Sequence, residues 1–238
     1  MPGAIREGEK EARFASTLTV ALIVWQGAIG WLTVEMDNLH WSVAIHLSSA
    51  LAFTMSMFWL WLTLTRAEDG LPRWLRFDYS ISKKWKIRAG MLSVGAFVSI
   101  FSGTFVSTTP GANFGCGVDG LPDSWPLCEG KIVDSIEDVV AQSQIIHRWF
   151  VGLMLIALIY ASYSVSIEEQ ENNSLRNWIW GSTFLFLANT SIGAIYVLSW
   201  DLEEGFFEFL SLVHLMMASL TFVTMAISWI GCSIAEEG

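Results

Sequence analysis

An all-α membrane protein with six transmembrane helices is the fold this sequence predicts, and three observations predict it. The 238 residues are 53% hydrophobic and include 13 tryptophans, with a mean hydropathy of +0.48. Six mostly apolar runs cover residues 15–36, 41–65, 87–108, 140–165, 176–199 and 207–233. A helix needs about 20 such residues to cross a bilayer, and each run supplies them. The charged residues gather between the runs, and their sign changes from one set of loops to the other.

The first run follows a mixed-charge tail in which Arg6, Lys10 and Arg13 stand among Glu7, Glu9 and Glu11. It is longer than a signal-peptide core and shows no small-residue cleavage site, so it reads as a retained first span. The connection at 66–88 carries Arg66, Arg73, Arg76, Lys83, Lys84, Lys86 and Arg88, seven of the 13 basic residues. Basic loops stay on the cytoplasmic side, which puts both termini there. The connection at 109–139 carries Asp119, Asp123, Glu129, Asp134, Glu137 and Asp138 against Lys131 alone, and falls outside. Glu35 and Asp37, then Asp201, Glu203 and Glu204, mark the other two outer turns, which hold neither Lys nor Arg. The expected location is a cell membrane crossed several times. A net charge of −10 leaves no basic footprint for nucleic acid.

Two hairpins repeat each other. Ile29-Gly30, an acidic turn and His46-Leu47-Ser48-Ser49-Ala50 match Ile192-Gly193, an acidic turn and His214-Leu215-Met216-Met217-Ala218, with Gln26 standing where Asn189 stands. The middle hairpin differs and ends in Gln144-Ile145-Ile146-His147-Arg148. The order predicts a four-helix unit over residues 85–233, preceded by an N-terminal hairpin over 1–66 that is half of a second unit.

His46, His147 and His214 each lie about two turns inside the outer end of a span. An ionisable side chain at membrane depth is unfavourable and usually functional. His147 and His214 come from different helices at one depth, an arrangement that axial ligation of a haem iron requires. A hydrogen-bonded interior histidine satisfies the same spacing. Arg148 reads either as a side chain snorkelling to the outer surface or as the partner of an anionic group such as a haem propionate. His46 reads as a ligand to a second haem completed from another chain, or as a remnant. His40, beside Trp41, reads as an interfacial residue. Cys116 and Cys128 share the outer loop, where disulfides persist; they form either a structural staple or a pair exchanging with a periplasmic thiol. Cys232 reads as a small apolar residue.

Gly115-Cys116-Gly117, Trp125-Pro126-Leu127-Cys128-Glu129-Gly130 and His147-Arg148 together resemble the haem A synthase family of cytochrome oxidase assembly proteins. The similarity continues upstream through Ser102-Gly103-Thr104-Phe105-Val106, downstream through Ile192-Gly193 and His214, and into the first hairpin at Gly27, Ile29-Gly30 and His46. The resemblance implies two similar four-helix halves and oxidation of a methyl group of haem O to the formyl group of haem A. It implies that residues 85–233 hold haem b, with His147 and His214 as its axial pair. It also implies that His46 corresponds to the second histidine of the substrate half. The chain resembles the family without its first two helices, and so without that half's cysteine-loop hairpin. In that hairpin the family has a glutamate one turn before its histidine; the matching position here is Gln144. The resemblance therefore leaves open an enzyme, completed as a homo-oligomer, and a non-catalytic haem b-binding protein. The second would deliver haem or assist assembly of a terminal oxidase. Haem O synthase and oxidase subunits are the partners implied. A membrane cytochrome accepting electrons from quinol is a third reading.

Overall fold

The computed structural model describes residues 2–68, 70–132, 139–168, 174–200 and 205–235. Asp134, Glu137, Asp138, Asp201, Glu203 and Glu204 lie outside the described residues, as do the side chains of Arg6 and Glu7. The described residues form six long helices and no strand. These are α1 (Pro2–Glu35), α2 (His40–Glu68), α3 (Tyr79–Thr108), α4 (Val139–Glu168), α5 (Ser174–Leu198) and α6 (Glu208–Ile234). All six are long and apolar enough to cross a membrane, as the hydropathy pattern predicts.

On the basic-loop side every helix runs past its apolar run, because different forces set the two boundaries. Apolarity marks the bilayer's hydrocarbon, whereas backbone hydrogen bonds continue until a cap or a turn interrupts them. Helix α3 therefore begins at Tyr79, ahead of the basic Lys83–Arg88 stretch. Asp78 caps it, its carboxylate accepting from Ser80 N at 2.9 Å and Ile81 N at 3.2 Å. Hydrogen bonds from the Ser80 side chain and the Ile81 backbone hold the Asp78 carboxyl below its ordinary value. Its stabilisation is complete above the ordinary aspartate pKa of about 4 and fades as pH falls through the lowered folded value. Asp78→Ala should cost about 1 kcal/mol at neutral pH, read as a lower unfolding midpoint. An unchanged midpoint would show that the cap contributes nothing.

Helix α1 ends in a tight turn in which Asp37 and Asn38 take positive φ of 48° and 58°. Asn and Asp tolerate that conformation best among residues with a side chain. Helices α3, α4, α5 and α6 form a ring in which each packs on two neighbours, and α2 leans on α3 and α6 while α1 packs on α2.

The solid core lies in one half of the membrane. Leu62, Trp85, Leu158, Val165, Leu175, Ile179, Met225 and Ile234 are fully buried, and all fall toward the ends of their helices on the basic-loop side. Polar contacts between helices reinforce this half, as small hydroxyl residues do where burial of apolar surface gives no drive. Ser162 meets Thr183 at 2.8 Å and Ser182 donates to Thr224 at 2.8 Å. Arg66 pairs with Glu11 at 3.4 Å and donates to the Ile234 carbonyl at 3.2 Å, tying α1, α2 and α6 together. The opposite half of the ring is left to a cleft.

Candidate functional site

The cleft opens where α3–α6 face one another beneath the long loop. His147 on α4 and His214 on α6 line it together, with ring centroids 6.5 Å apart and planes at 88°. Two cavities share both rings. One, of about 90 Å3, runs past Ser99, Gly103, Phe186 and Asn189. The other, of about 450 Å3, runs between α4 and α5 under Trp125 and Pro126. The larger lies within the roughly 300–1,000 Å3 common among cofactor pockets.

Hydrogen bonds orient both rings. His214 Nδ1 lies 2.9 Å from the Asn189 carbonyl, and a carbonyl only accepts, so Nδ1 carries the proton and Nε2 keeps a bare lone pair. His147 Nδ1 lies 2.9 Å from Ser102 Oγ. That hydroxyl also has the Ser99 carbonyl in reach at 2.9 Å; with its proton on that carbonyl, the His147 ring donates from Nδ1 as well. This is the arrangement that orients an imidazole toward a metal.

Glycines set the ring positions. A Cβ built on Gly193 would stand 2.8 Å from His214 Cε1, and one on Gly103 would stand 2.9 Å from His147 Cε1. Each imidazole thus rests directly on the backbone of the neighbouring helix. The first hairpin repeats the device, with Gly30 placed so that a Cβ would lie 3.1 Å from His46 Cε1. His46 differs in one respect: its Nδ1 is buried without a hydrogen-bond partner among the described residues. It lines neither cavity. The Gln26 amide, matching Asn189 in sequence, donates instead to the His46 carbonyl at 3.0 Å.

Arg148 does not reach for the outer surface. Its guanidinium donates to the Leu127 carbonyl, to the Pro126 carbonyl at 3.5 Å and to Gln144 Oε1 at 3.4 Å. Gln144 is anchored in turn, its amide donating to the Ala112 carbonyl at 2.9 Å. Arg148 and Gln144 both line the larger cavity. A cation there faces neutral carbonyl and amide oxygens, a setting that favours a bound carboxylate.

Cys116 and Cys128 form a disulfide and are 1% and 2% exposed. Burial leaves a partner thiolate no direct line of attack in this conformation. With Ala141 and Ile145 the bridge forms a small apolar cluster that pins the loop to the start of α4. His40 stands at the start of α2 with its ring edge-on to Phe105 at 4.9 Å.

A metal held in line between two imidazole nitrogens, at about 2 Å from each, sets the ring centroids about 6 Å apart. The observed 6.5 Å spacing is close to that value, and with both rings lining the same cleft it fits a haem iron held by His147 and His214. Residue patterns had flagged both histidines, Arg148 and the cysteines. They had not flagged Ser102, Asn189 or Gln144 as supports, nor the glycines as ring platforms. The signal available for the glycines is that Gly30, Gly103 and Gly193 each sit at histidine depth on the preceding helix.

The chain is 27% identical over 139 residues to the Heme A synthase of Shouchella clausii, a match covering 58% of this chain and 42% of that protein. It is 25% identical over 222 residues to the Heme A synthase of Halalkalibacterium halodurans, covering 91% of this chain and 67% of that protein. The chain thus spans about two-fifths to two-thirds of the length of these relatives. No solved structure matches. The family model described as cytochrome oxidase assembly protein matches residues 4–226. Nearly the whole chain takes part in that match, and the chain belongs to the cytochrome oxidase assembly protein family.

Proposed function

We propose that this protein is a membrane oxidoreductase of haem A biosynthesis that oxidises a methyl group of haem O to a formyl group, a four-electron step that takes up one oxygen atom and uses an external oxidant of the dioxygen class. It would hold a haem b between α4 and α6. The observation that carries the reading is the His147–His214 pair, two imidazoles hydrogen-bonded at Nδ1 and 6.5 Å apart across a large cleft. Haem iron supplies the redox chemistry when bound. The chain's own residues do the positioning. Asn189 and the Ser102–Ser99 relay orient the rings, and Gly103 and Gly193 set how far each ring stands from its neighbouring helix. Arg148, braced by the loop carbonyls, receives a carboxylate of the ligand. We assign His46 to the substrate haem, its second axial position filled by a hairpin from another chain. The basic 66–88 loop supports an orientation with both termini in the cytoplasm and the cysteine loop outside.

The test is co-expression with a source of haem O, followed by extraction and chromatography of the pigments. Haem A should appear and should disappear with His147→Ala. Haem b with unaltered haem O would instead identify a haem-binding assembly factor.

The glycine platforms give a second test. Gly103→Ala or Gly193→Ala forces the imidazole aside and should lower haem occupancy several-fold. Gly27→Ala, where a Cβ meets nothing within 4 Å, should leave occupancy unchanged. Equal occupancy in all three variants would remove the platforms from the account.

A further inference from the structure

The geometry points to an anionic-phospholipid site on the outer face of the α3–α4 pair, independent of the haem cleft. A groove of about 480 Å3 runs between these helices, walled by Met91, Gly95, Val98, Met154, Ala157 and Tyr160. Met91 and Tyr160 are 70% and 71% exposed, so the groove faces lipid. Gly95 creates its floor. A Cβ there would stand 2.8 Å from Met154 Sδ, so the two helices meet closely at this point and their larger side chains stand up as walls on either side.

The end of the groove on the basic-loop side carries the charge. Lys84 and Arg88 both reach Glu168, at 3.1 and 3.0 Å. The Trp85 indole also donates to Glu168 at 2.7 Å, and the Arg88 guanidinium lies 5.2 Å from the Trp85 ring centroid. Among the described residues, one carboxylate therefore answers two cations, both about half exposed. Lys84, Arg88 and Glu168 together carry one unit of positive charge at the mouth of an apolar groove. Lys83 and Lys86, exposed on the same stretch of α3, add to the field.

The dimensions fit one leaflet. Arg88 to Val98 along α3 spans about 15 Å, half of a hydrocarbon core about 30 Å thick. An acyl chain laid in the groove would place its phosphate beside Lys84 and Arg88. Basic pockets between transmembrane helices bind anionic headgroups in this way. A zwitterionic lipid gains less, because its headgroup brings its own cation to the cluster.

The experiment is native mass spectrometry of the purified, delipidated full chain after incubation with equal amounts of phosphatidylglycerol and phosphatidylcholine. Phosphatidylglycerol should be retained several-fold over phosphatidylcholine. The Lys84→Gln/Arg88→Gln double variant should lose that preference, and Arg88→Lys should keep most of it. Ala157→Phe fills the groove without touching the charges and should lower retention of both lipids while the haem spectrum stays normal. Competition by inorganic phosphate alone should be weak, because the acyl chain contributes to binding. Equal retention of the two lipids by the parent chain would overturn the site, as would full preference in the double variant. Displacement by inorganic phosphate would reduce it to an anion contact.

Discussion

Replacing His147 or His214 with alanine should abolish the haem spectrum of the purified protein. Both rings line one cleft with centroids 6.5 Å apart, and each has a hydrogen-bond partner at Nδ1. On the proposed function, removing one ring would take away an axial ligand. A substitution two turns along the same helix leaves both rings in place. The expected result is loss of bound haem, or a five-coordinate spectrum in the fraction that remains. Absorption after purification from haem-replete cells reads the outcome. Normal haem content and an unshifted spectrum in both variants would end the axial assignment. His46→Ala should leave this spectrum intact, because His46 lies in the other hairpin and lines neither cavity.

The second large effect lies in the loop. The Cys116–Cys128 bridge closes a segment with a sequence separation of 12. Closing a loop of that size stabilises by about 3 kcal/mol in the chain-entropy account. Losing the bridge should also propagate to the site. Leu127 and Pro126, which receive the Arg148 guanidinium, directly precede Cys128. Replacing both cysteines with serine should therefore lower the thermal unfolding midpoint by several degrees and weaken retention of haem. Parent protein treated with reductant under denaturing conditions should reproduce the loss after refolding. Alkylation of unreduced, unfolded parent should label Cys232 alone. Labelling of all three cysteines would refute the bridge, and an unchanged midpoint in the double variant would refute its structural weight.

The spans were legible because a bilayer imposes a length that few other environments impose. All six apolar runs fall on the six helices, matching their outer ends to within one residue. Helix ends were less legible. The run at 87–108 gave no sign that α3 starts at Tyr79, because charged residues beyond the hydrocarbon carry no apolar signal while Asp78 still caps the backbone. Histidine depth was readable from spacing. The partners of the histidines were not, since a backbone carbonyl at Asn189 has no residue signature and a serine such as Ser102 is common in any helix. Arg148 shows the same limit. Both of its sequence readings named a target beyond the protein, whereas the chain holds it against carbonyls more than 20 residues away. Loop carbonyls become donors' targets only once the loop is folded over the cleft. Gln144 was visible as an amide, but its role as a brace between Ala112 and Arg148 needed coordinates.

Low-temperature electron paramagnetic resonance of the oxidised, purified protein probes the shared iron most directly. Two imidazoles on one ferric haem give a low-spin signal, and planes near perpendicular, as the 88° between these rings, make it strongly anisotropic. The account predicts that signal in the parent and its replacement by a high-spin one in His147→Ala or His214→Ala. A high-spin parent, or a low-spin signal that survives both replacements, would contradict it.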